Sequence, residues 1–262
     1  MKYLFIIFSI FSIFSIAAFI LHFTDKKEHF ENTSQNYNDI KSFILPRQPL
    51  VSCLCVTLRR TKYLKHSIND FLAQTYPNKE LIVVYDDNDD ETVHFKDDII
   101  NSYPSIKFYS VPNKWNLGQI RNYSVKMANG EFVKQWDDDD RYDKERIEIQ
   151  LKASFMNNMN SILLSRWQII KTSDNSKYTS SFRKPGWEGS ILSPKKYLVK
   201  YKYGEKRKKG TQGEDTDCID KLIKHKLISS IDIPYLYTYH IHDKNTITAG
   251  TQKGILEKAV PL

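Results

Sequence analysis

From Leu50 onward, the chain alternates short uncharged apolar runs with stretches whose apolar residues recur every three or four positions. The runs at Val51–Thr57 (VSCLCVT) and 81–85 (LIVVY) have the length and composition of strands buried on both faces. Residues 62–75, between them, have the spacing of an amphipathic helix. This order constrains the fold strongly, because a helix between two strands supplies the crossover connection that parallel neighbouring strands need.

The alternation continues along the chain. The patterns predict strands at 106–111 and 131–136, with helices at 118–129 and 143–157, and Asp143 as the cap of the latter. The less regular second half predicts strands over 161–170 and 231–239 and helices over 194–201 and 215–226. The predicted fold class is therefore α/β, with a mainly parallel, Rossmann-like central sheet and helices on both faces.

Acidic residues follow directly on two of the predicted strands, namely Asp86-Asp87 and the run Asp137–Asp140. Ligands in parallel sheets bind at the carboxyl ends of the strands. Four adjacent carboxylates repel one another, and a cation relieves that repulsion. Carboxylate oxygens suit Mg²⁺ or Mn²⁺. The run therefore predicts a divalent-metal site, the alternative being a solvated acidic turn with a helix cap.

The first residues of the chain form a separate apolar segment. Residues 3–23 carry no charge, which matches the length of a helix that spans a bilayer. We expect a single-pass, type II signal-anchor. If the source is eukaryotic, such an anchor would place the rest of the chain in the lumen of the secretory pathway. A cleaved signal peptide and a buried soluble helix remain alternatives. The polar residues 24–49 then read as a stem or linker.

The net charge limits the classes of binding partner, and the cysteine content limits the disulfides that the chain can form. The formal net charge is +8, which is compatible with nucleic acid, a membrane surface or anionic small molecules. The basic run 195–209 belongs to no recognisable nucleic-acid reader, so no nucleic-acid partner is predicted. It reads as a solvated loop, or as a lid over a diphosphate. The three cysteines are too few for a disulfide scaffold, and we expect them to be buried.

Four stretches, in order, resemble the inverting family-two glycosyltransferases of the GT-A fold. They are VSCLCVT with the following KYLKHSINDFLAQTYPNKELIVVYDD, NLGQIRNYSVKMANGEFVKQWDDDD, GEDTDCIDKL and YHIHDKNT. The resemblance covers about residues 50–247. The resemblance implies a GT-A domain at 50–250, and with the apolar and polar segments before it the predicted organisation is an anchor at 1–23, a stem at 24–49, this domain and a tail at 251–262. Within the domain, 50–140 would be the nucleotide-sugar half and 141–250 the acceptor and catalytic half.

The resemblance also implies which residues bind the donor, a nucleoside diphosphate sugar, with UDP expected. Asp86 matches the aspartate that contacts the base, and Thr57 the nucleotide contact at the end of the first strand. Arg121 matches an arginine near the base and diphosphate. Asp137 is the first acidic position of the D-x-D motif, and Asp138 fills its variable position, also on the donor side.

The catalytic and metal positions follow in the same way. Asp139 matches the metal ligand of the D-x-D motif, and His242 matches a late histidine near the metal, which would be Mn²⁺ or Mg²⁺. Asp140 would support the site. Asp215 matches the catalytic base, with Glu214 beside it. A carboxylate on the far side of the sugar would deprotonate the acceptor hydroxyl in a single inverting displacement.

Some alternatives stay open at the level of sequence. Asp215 could instead be a helix cap, with Asp217 as the fallback base. Trp187 could stack on an acceptor sugar or simply pack in the core. The acceptor could be a glycan, a protein or a lipid. A sugar nucleotidyltransferase would need a glycine-rich loop where this chain has TLRRTKY. A metal nuclease could use the aspartate run but would leave the segment GEDTD unexplained. A sugar-binding protein of the same fold would bind a donor without turning it over.

Overall fold

The computed structural model describes residues 37–205, 213–243, 245 and 249–262. The first part contains α1 (Tyr37–Ser42), β1 (Val51–Thr57), α2 (Thr61–Leu72), β2 (Lys79–Asp86), α3 (Asp90–Ser102), β3 (Ile106–Val111), α4 (Leu117–Met127), β4 (Phe132–Gln135), β5 (Arg141–Tyr142) and α5 (Arg146–Met156). There follow β6 (Ser161–Leu164), β7 (Gln168–Lys171), β8 (Ser176–Thr179), β9 (Trp187–Pro194), α6 (Lys195–Tyr201), α7 (Glu214–Lys224), β10 (Ile228–Ile231), a 3₁₀ turn (Pro234–Leu236), β11 (Tyr237–Ile241), α8 (Ala249–Leu256) and β12 (Val260–Pro261).

A seven-stranded sheet in the order β10-β6-β9-β4-β1-β2-β3 forms the centre of the molecule. Strand β1 pairs in parallel with β2 and β4, and β2 pairs in parallel with β3. Strand β9 is the exception, since it runs antiparallel between β4 and β6. The predicted α/β class with a mainly parallel sheet is confirmed. As a result, the carboxyl ends of β1, β2 and β4 lie at one edge, where the acidic residues follow.

Successive residues of the central strands serve opposite faces of the sheet. Cys53 and Cys55 pack in a cluster with helices α2 and α5, whereas Leu54 between them packs in a second cluster with α4, α6 and α7. Both clusters are apolar, which explains why the strand sequences are continuously apolar rather than alternating. The cysteines are buried and unpaired, as expected.

A second, five-stranded sheet in the order β12-β8-β7-β11-β5 corrects two of the predicted strands. The strand predicted at 161–170 is two strands, because the chain leaves the central sheet after Leu164 and enters the second at Gln168. The strand predicted at 231–239 also breaks, at the turn that starts with Pro234. Arg166 and Asp232 lie in the two breaks and form a bidentate ion pair of 2.8 and 2.6 Å.

The cap predicted for helix α5 is also wrong. The helix begins at Arg146, and Glu145 occupies the capping position without a side-chain capping bond. The Asp143 carboxylate instead accepts a hydrogen bond from the backbone N–H of Glu145 at 2.8 Å. Asp143 therefore organises the turn before the helix, which delays the helix by one turn relative to the sequence prediction.

Helix α1 lies in the segment that the sequence predicts as stem, and it packs against helix α5. Ile40 is fully buried in the cluster that contains α5. Tyr37 donates to the Glu145 carboxylate at 2.8 Å, and Lys152 donates to the backbone carbonyl of Lys41 at 2.8 Å. Residues 37–49 are thus part of the folded body.

The predicted membrane anchor at 3–23 lies outside the described residues and stays a prediction. Within the ranges that the structure describes, no helix has the length and apolar character to cross a bilayer. The basic run 195–209 is only partly described. Its first seven residues form helix α6, which confirms the helix predicted over 194–201 and corrects the loop predicted for that part of the run. Residues 206–212 lie outside the described ranges.

Candidate active site

The aspartate run follows β4, and its four side chains have different partners. Asp138 is the most enclosed, with a side chain that is 0% exposed. It accepts a hydrogen bond from Thr57 Oγ1 at 2.6 Å, and Arg60 Nη2 lies 2.8 Å from its other oxygen. Burial, together with the neighbouring charge of Asp139, raises the pKa of Asp138 to about 7. Thr57 and Asp138, both predicted donor contacts, are therefore bound to each other beneath the site.

Asp139 points toward the loop after β11. Its Oδ2 accepts a hydrogen bond from Arg60 Nη1 at 2.7 Å and lies 3.2 Å from His242 Nε2. The His242 ring is stacked on Tyr63, with ring centroids 5.0 Å apart, and its backbone N–H donates to Asn245 Oδ1 at 2.7 Å. Burial raises the pKa of Asp139, but the hydrogen bond from His242 and the charge of Arg60 outweigh it, so the pKa is lowered.

Asp140 is buried and is bonded to residues of strand β11. It accepts a hydrogen bond from the Tyr237 hydroxyl and another from the backbone N–H of His240 at 3.0 Å. Burial, followed by the charges of Asp139 and Asp137, raises its pKa well above the ordinary range. Asp140 thereby ties the end of β4 to β11, which carries the late histidine segment.

A buried cation lies beneath the run. Arg146 is fully buried, and its guanidinium carbon lies 4.4 Å from the ring centroid of Tyr142 and 4.6 Å from that of Tyr237. The hydroxyl of Tyr142 donates to the backbone carbonyl of Asp137 at 2.8 Å. Cation–π contacts of this kind stabilise both the cation and the ring positions. They place the two tyrosine hydroxyls that hold the run.

Arg121 on helix α4 joins the aspartate run to the start of helix α7. Its Nη1 donates to Asp137 Oδ1 at 3.1 Å, and its Nε donates to Glu214 Oε1 at 2.9 Å. Asp215, the next residue, accepts a hydrogen bond from the backbone N–H of Thr216 at 3.0 Å. Burial, then the charge of Glu214, raises the pKa of Asp215 to about 6, against the opposing charge of Arg121. A carboxylate with such a pKa is suited to accept a proton near neutral pH.

Asp86 stands at the end of β2, the strand that pairs directly with β1, and β1 ends at Thr57. Its Oδ1 accepts a hydrogen bond from the backbone N–H of Asn88 at 2.8 Å. This local turn fixes the carboxylate at the same sheet edge as the aspartate run, although its bonds are to its own loop rather than to the run. Asp87 beside it accepts from the backbone N–H of Asn113 at 3.2 Å.

Trp187 lies between the site and a cleft of about 570 Å³. Its indole N–H donates to the Tyr237 hydroxyl at 3.3 Å, and its ring stacks on Trp167 with centroids 4.9 Å apart. Phe182, which is 54% exposed, lines the same cleft, as does Lys258. Trp187 therefore packs in an aromatic cluster and also forms a wall of the cleft. Core packing and contact with an acceptor sugar, the two interpretations made from the sequence, do not exclude each other.

The sequence interpretation missed Arg60, Tyr63 and Tyr237 among the residues that contact the predicted site. Arg60 stands beside Arg59 in the sequence, and spacing does not distinguish the two. In the structure Arg59 donates to the backbone carbonyl of Asn88 at 3.2 Å, away from the run that Arg60 contacts. A useful signal would have been that Arg60 and Tyr63 are three apart, on one face of a helix that begins at the site.

The predicted metal ligands can be tested against this geometry. Two ligands at right angles, each about 2.1 Å from an ion, stand roughly 3 Å apart. The 3.2 Å between Asp139 Oδ2 and His242 Nε2 is close to that separation. Within the residues that the structure describes, no group of three or more His, Cys, Asp or Glu side chains is arranged to hold an ion. The pair is hydrogen-bonded in the structure and supplies two ligand atoms, so an ion at this position would take its remaining ligands from the substrate or water.

Residues 52–229 match the family model described as Glycosyl transferase family 2. The chain belongs to this family. The family inferred from the four sequence stretches is thus confirmed, and the chain carries a glycosyltransferase domain. The match covers the central sheet, the aspartate run and helix α7, so the network around Arg121 lies within the family's own boundaries.

Two curated relatives are named as sugar transferases. An uncharacterized glycosyltransferase of Rickettsia typhi is 31% identical over 131 residues, which cover 50% of this chain and 40% of the relative. The Escherichia coli protein named UDP-Glc:alpha-D-GlcNAc-diphosphoundecaprenol beta-1,3-glucosyltransferase WfgD is 30% identical over 123 residues, 46% of this chain and 47% of its own. The chain thus spans less than half the length of each of these relatives.

Solved structures show the same fold at low identity. TarS 1-349 of S. aureus, in complex with UDP-GlcNAc, has a TM-score of 0.59 and 18% identity, over 74% of this chain and 59% of that one. The mannosyltransferase PcManGT of Pyrobaculum calidifontis, in complex with GDP-Man and Mn²⁺, has a TM-score of 0.59 and 13% identity, over 88% and 68%. These matches support the GT-A fold predicted from the sequence.

Proposed function

We propose that the protein transfers a sugar from a nucleoside diphosphate sugar, with UDP as the nucleotide, to an acceptor hydroxyl, with inversion at the anomeric carbon and with help from Mn²⁺ or Mg²⁺. The observation that carries this proposal is the position of Arg121. Its guanidinium contacts both Asp137 of the aspartate run and Glu214 beside Asp215. One side chain therefore joins the predicted donor site to Glu214, the residue beside the predicted base.

The donor side rests on the sheet edge described above. We assign the nucleotide to the space between Asp86 and the aspartate run, where Asp86 would accept from the base and Arg121 and Asp137 would flank the diphosphate. UDP is chosen because two of the related proteins are named with UDP-Glc or solved with UDP-GlcNAc. PcManGT, solved with GDP-Man, makes GDP-sugars the control donor class.

Asp139 and His242 would hold the metal, and the bound metal would stabilise the negative charge on the departing diphosphate. The chain's own residues do the rest of the positioning. Tyr63 stacks on His242, and Tyr237 donates to Asp140, the residue after Asp139, so rings from two separate elements lie against the ligand pair or next to it in the chain. This support favours a ligand geometry that is formed before the donor arrives.

Asp215 is the base in this proposal. As the acceptor oxygen attacks the anomeric carbon, Asp215 takes the hydroxyl proton and the bond to the diphosphate breaks, with the electron pair leaving on the diphosphate oxygen. A carboxylate of ordinary pKa would be a weak base near neutral pH. The pKa of about 6 that burial and Glu214 produce brings Asp215 closer to the acceptor's task.

The acceptor side is assigned to the cleft beside Trp187. Aromatic walls suit the apolar faces of a sugar ring, and Trp187 links the cleft to Asp140 through the Tyr237 hydroxyl. The acceptor would therefore be a glycan, or a sugar carried by a protein or a lipid. Membrane attachment through residues 3–23, with a stem after it, remains part of the proposal and rests on the sequence alone.

The test is a donor screen with the full chain. UDP-sugars and GDP-sugars are incubated with Mn²⁺ and a panel of aryl glycosides, and release of nucleoside diphosphate and the anomeric configuration of the product are measured. We expect a UDP-sugar to be turned over, with loss of activity in EDTA and an inverted product. Release of pyrophosphate from a nucleoside triphosphate would indicate a nucleotidyltransferase. Donor binding without turnover for every acceptor would indicate a binding module.

A further inference from the structure

Arg60 lies outside the strand and contacts two carboxylates of the aspartate run. It occupies the capping position of helix α2, and its side chain is 19% exposed. The guanidinium reaches two carboxylates at once, with Nη1 2.7 Å from Asp139 Oδ2 and Nη2 2.8 Å from Asp138 Oδ1. The contact with Asp139 is a short, charge-assisted hydrogen bond, and the contact with Asp138 is an ion pair.

The same oxygen, Asp139 Oδ2, is the one that faces His242 Nε2. A divalent ion between these two atoms would therefore stand close to the Arg60 guanidinium. Like charges a few ångströms apart in a partly buried site repel strongly, and an oxygen that donates electron density to a guanidinium is a weaker metal ligand. Arg60 and the ion thus compete for one carboxylate.

Helix α2 contacts the other predicted ligand as well. Tyr63, one turn after Arg60, stacks on His242 at 5.0 Å with an interplanar angle of 16°. The first turn of α2 therefore touches both Asp139 and His242. A nucleoside diphosphate changes this balance, because its oxygens are acceptors for the guanidinium and ligands for the ion at the same time.

We propose that Arg60 is a resident counter-ion of the aspartate run, which weakens divalent-metal binding to the free protein and gives way when a nucleoside diphosphate enters. This rests on the proposed function. Metal and donor then bind as a cooperative pair, and the coupling between them depends on Arg60. By linkage, a residue that lowers metal affinity only in the free state increases the factor by which the nucleotide raises it.

The experiment measures Mn²⁺ affinity at pH 7.5 from the electron paramagnetic resonance signal of the free ion, with and without UDP. We expect Arg60→Gln to bind Mn²⁺ about tenfold more tightly than the wild type in the absence of UDP, equivalent to about 1.4 kcal/mol. The factor by which UDP tightens Mn²⁺ binding should shrink correspondingly. Arg60→Lys keeps the charge and should stay near the wild type.

Arg59→Gln is the matched control. It removes the same charge one residue earlier, from a guanidinium that contacts the Asn88 carbonyl, and should leave Mn²⁺ affinity within about twofold of the wild type. Because Arg60→Gln leaves the buried Asp138 with Thr57 as its remaining described partner, Arg60→Gln/Asp138→Asn is a second test, compared with Asp138→Asn alone. The double variant should again bind the ion more tightly than its parent.

An unchanged or weaker Mn²⁺ affinity in both Arg60→Gln proteins overturns the proposal, as does equal tightening in Arg59→Gln. Absence of Mn²⁺ binding to all of them, with and without UDP, overturns it too. Sugar transfer is assayed on the same preparations. Failure of the proposed function would appear as absent transfer with the ion bound, and is therefore distinguishable from failure of the role given to Arg60.

Discussion

Arg121 and Glu214 form an ion pair of 2.9 Å between helix α4 and the first turn of helix α7. The same guanidinium reaches Asp137 at 3.1 Å, and its side chain is only 10% exposed. Two carboxylates that would repel each other are thus held by one buried cation. The arrangement leaves Asp215, beside Glu214, without the ion pair, so its carboxylate keeps its raised pKa of about 6.

The first prediction concerns the base. Asp215→Asn should lower kcat by a factor of about 10²–10⁴, because the acceptor proton loses its recipient, while UDP affinity stays unchanged. The control is Asp217→Asn, on the exposed side of the same helix turn. Steady-state rates and UDP titrations check both variants. An equal loss in Asp217→Asn, or full activity in Asp215→Asn, would remove Asp215 from this role.

The second prediction concerns pH. The base must be deprotonated, so kcat/KM should fall about tenfold per pH unit below the pKa of about 6 for Asp215. Glu214 raises that pKa through its charge, and Glu214→Gln should therefore move the acid limb of the profile to lower pH. Asp220→Asn removes an equal charge from an exposed position on the same helix and should leave the limb in place. A shift to higher pH in Glu214→Gln would contradict the assignment.

Much of the fold could be predicted from the sequence, since it depends on local pattern. The run LIVVY at 81–85 is continuously apolar, so it has to lie between two apolar layers. In the neighbouring strand β1, Cys53 packs in one of these layers and Leu54 in the other. The aspartate run could be located at a strand end for the same reason. Such features follow from chain order and side-chain period, which the sequence displays directly.

The remaining features depend on contacts between distant residues. The break after Leu164 coincides with the ion pair between Arg166 and Asp232, 66 residues apart. Arg60 meets Asp139 across 79 residues, and a long flexible side chain at a helix start has many other possible partners. Local pattern favours a continuous strand in the first case and a solvated arginine in the second, and tertiary pairing overrides both.

The third prediction tests the support of Asp140. Tyr237→Phe removes a donor from a buried carboxylate and should lower the free energy of unfolding by about 1–3 kcal/mol at pH 7.5 in EDTA. Without that bond the pKa of Asp140 rises further, so the loss should grow only as pH rises above the folded-state pKa of Asp140 in the wild type, which burial already places well above the ordinary range. Tyr142→Phe, whose hydroxyl donates to a neutral carbonyl, should cost about 1 kcal/mol. Urea titrations over a series of pH values from 4.5 upward measure both variants, and a loss in Tyr237→Phe that shrinks as pH rises would contradict the account.

The fourth prediction tests the acceptor cleft. Phe182→Ala removes an exposed ring from the cleft wall and should raise the acceptor KM several-fold, with donor KM and stability unchanged. Val199→Ala, at a similarly exposed apolar position on helix α6 outside the cleft lining, is the control. Initial rates at varied acceptor and donor concentrations separate the two constants. An effect confined to the donor KM would place the acceptor elsewhere.

The fifth prediction concerns the close approach of helix α4 to the chain that follows α6. A Cβ at Gly118 would lie 1.9 Å from the carbonyl oxygen of Gly204, a backbone atom that cannot rotate away. The same contact is fixed by Asn122, which donates to the Tyr203 carbonyl at 3.0 Å and accepts from its N–H at 2.9 Å. Gly118→Ala must therefore separate the two segments, and the ring of Tyr203, 5.9 Å from the Arg121 guanidinium, moves with them.

We expect Gly118→Ala to lower the free energy of unfolding by about 1–3 kcal/mol, as overpacking does, and to weaken UDP binding through Arg121. Gly254→Ala is the matched control. It makes the same change inside helix α8, where a Cβ would meet nothing within 4 Å, and it should be neutral or stabilising by up to about 1 kcal/mol. Urea unfolding and UDP titration of both variants decide the matter. A Gly118→Ala protein as stable as the wild type would mean that α4 and Gly204 are not in contact, and the position of Arg121 would then need another support.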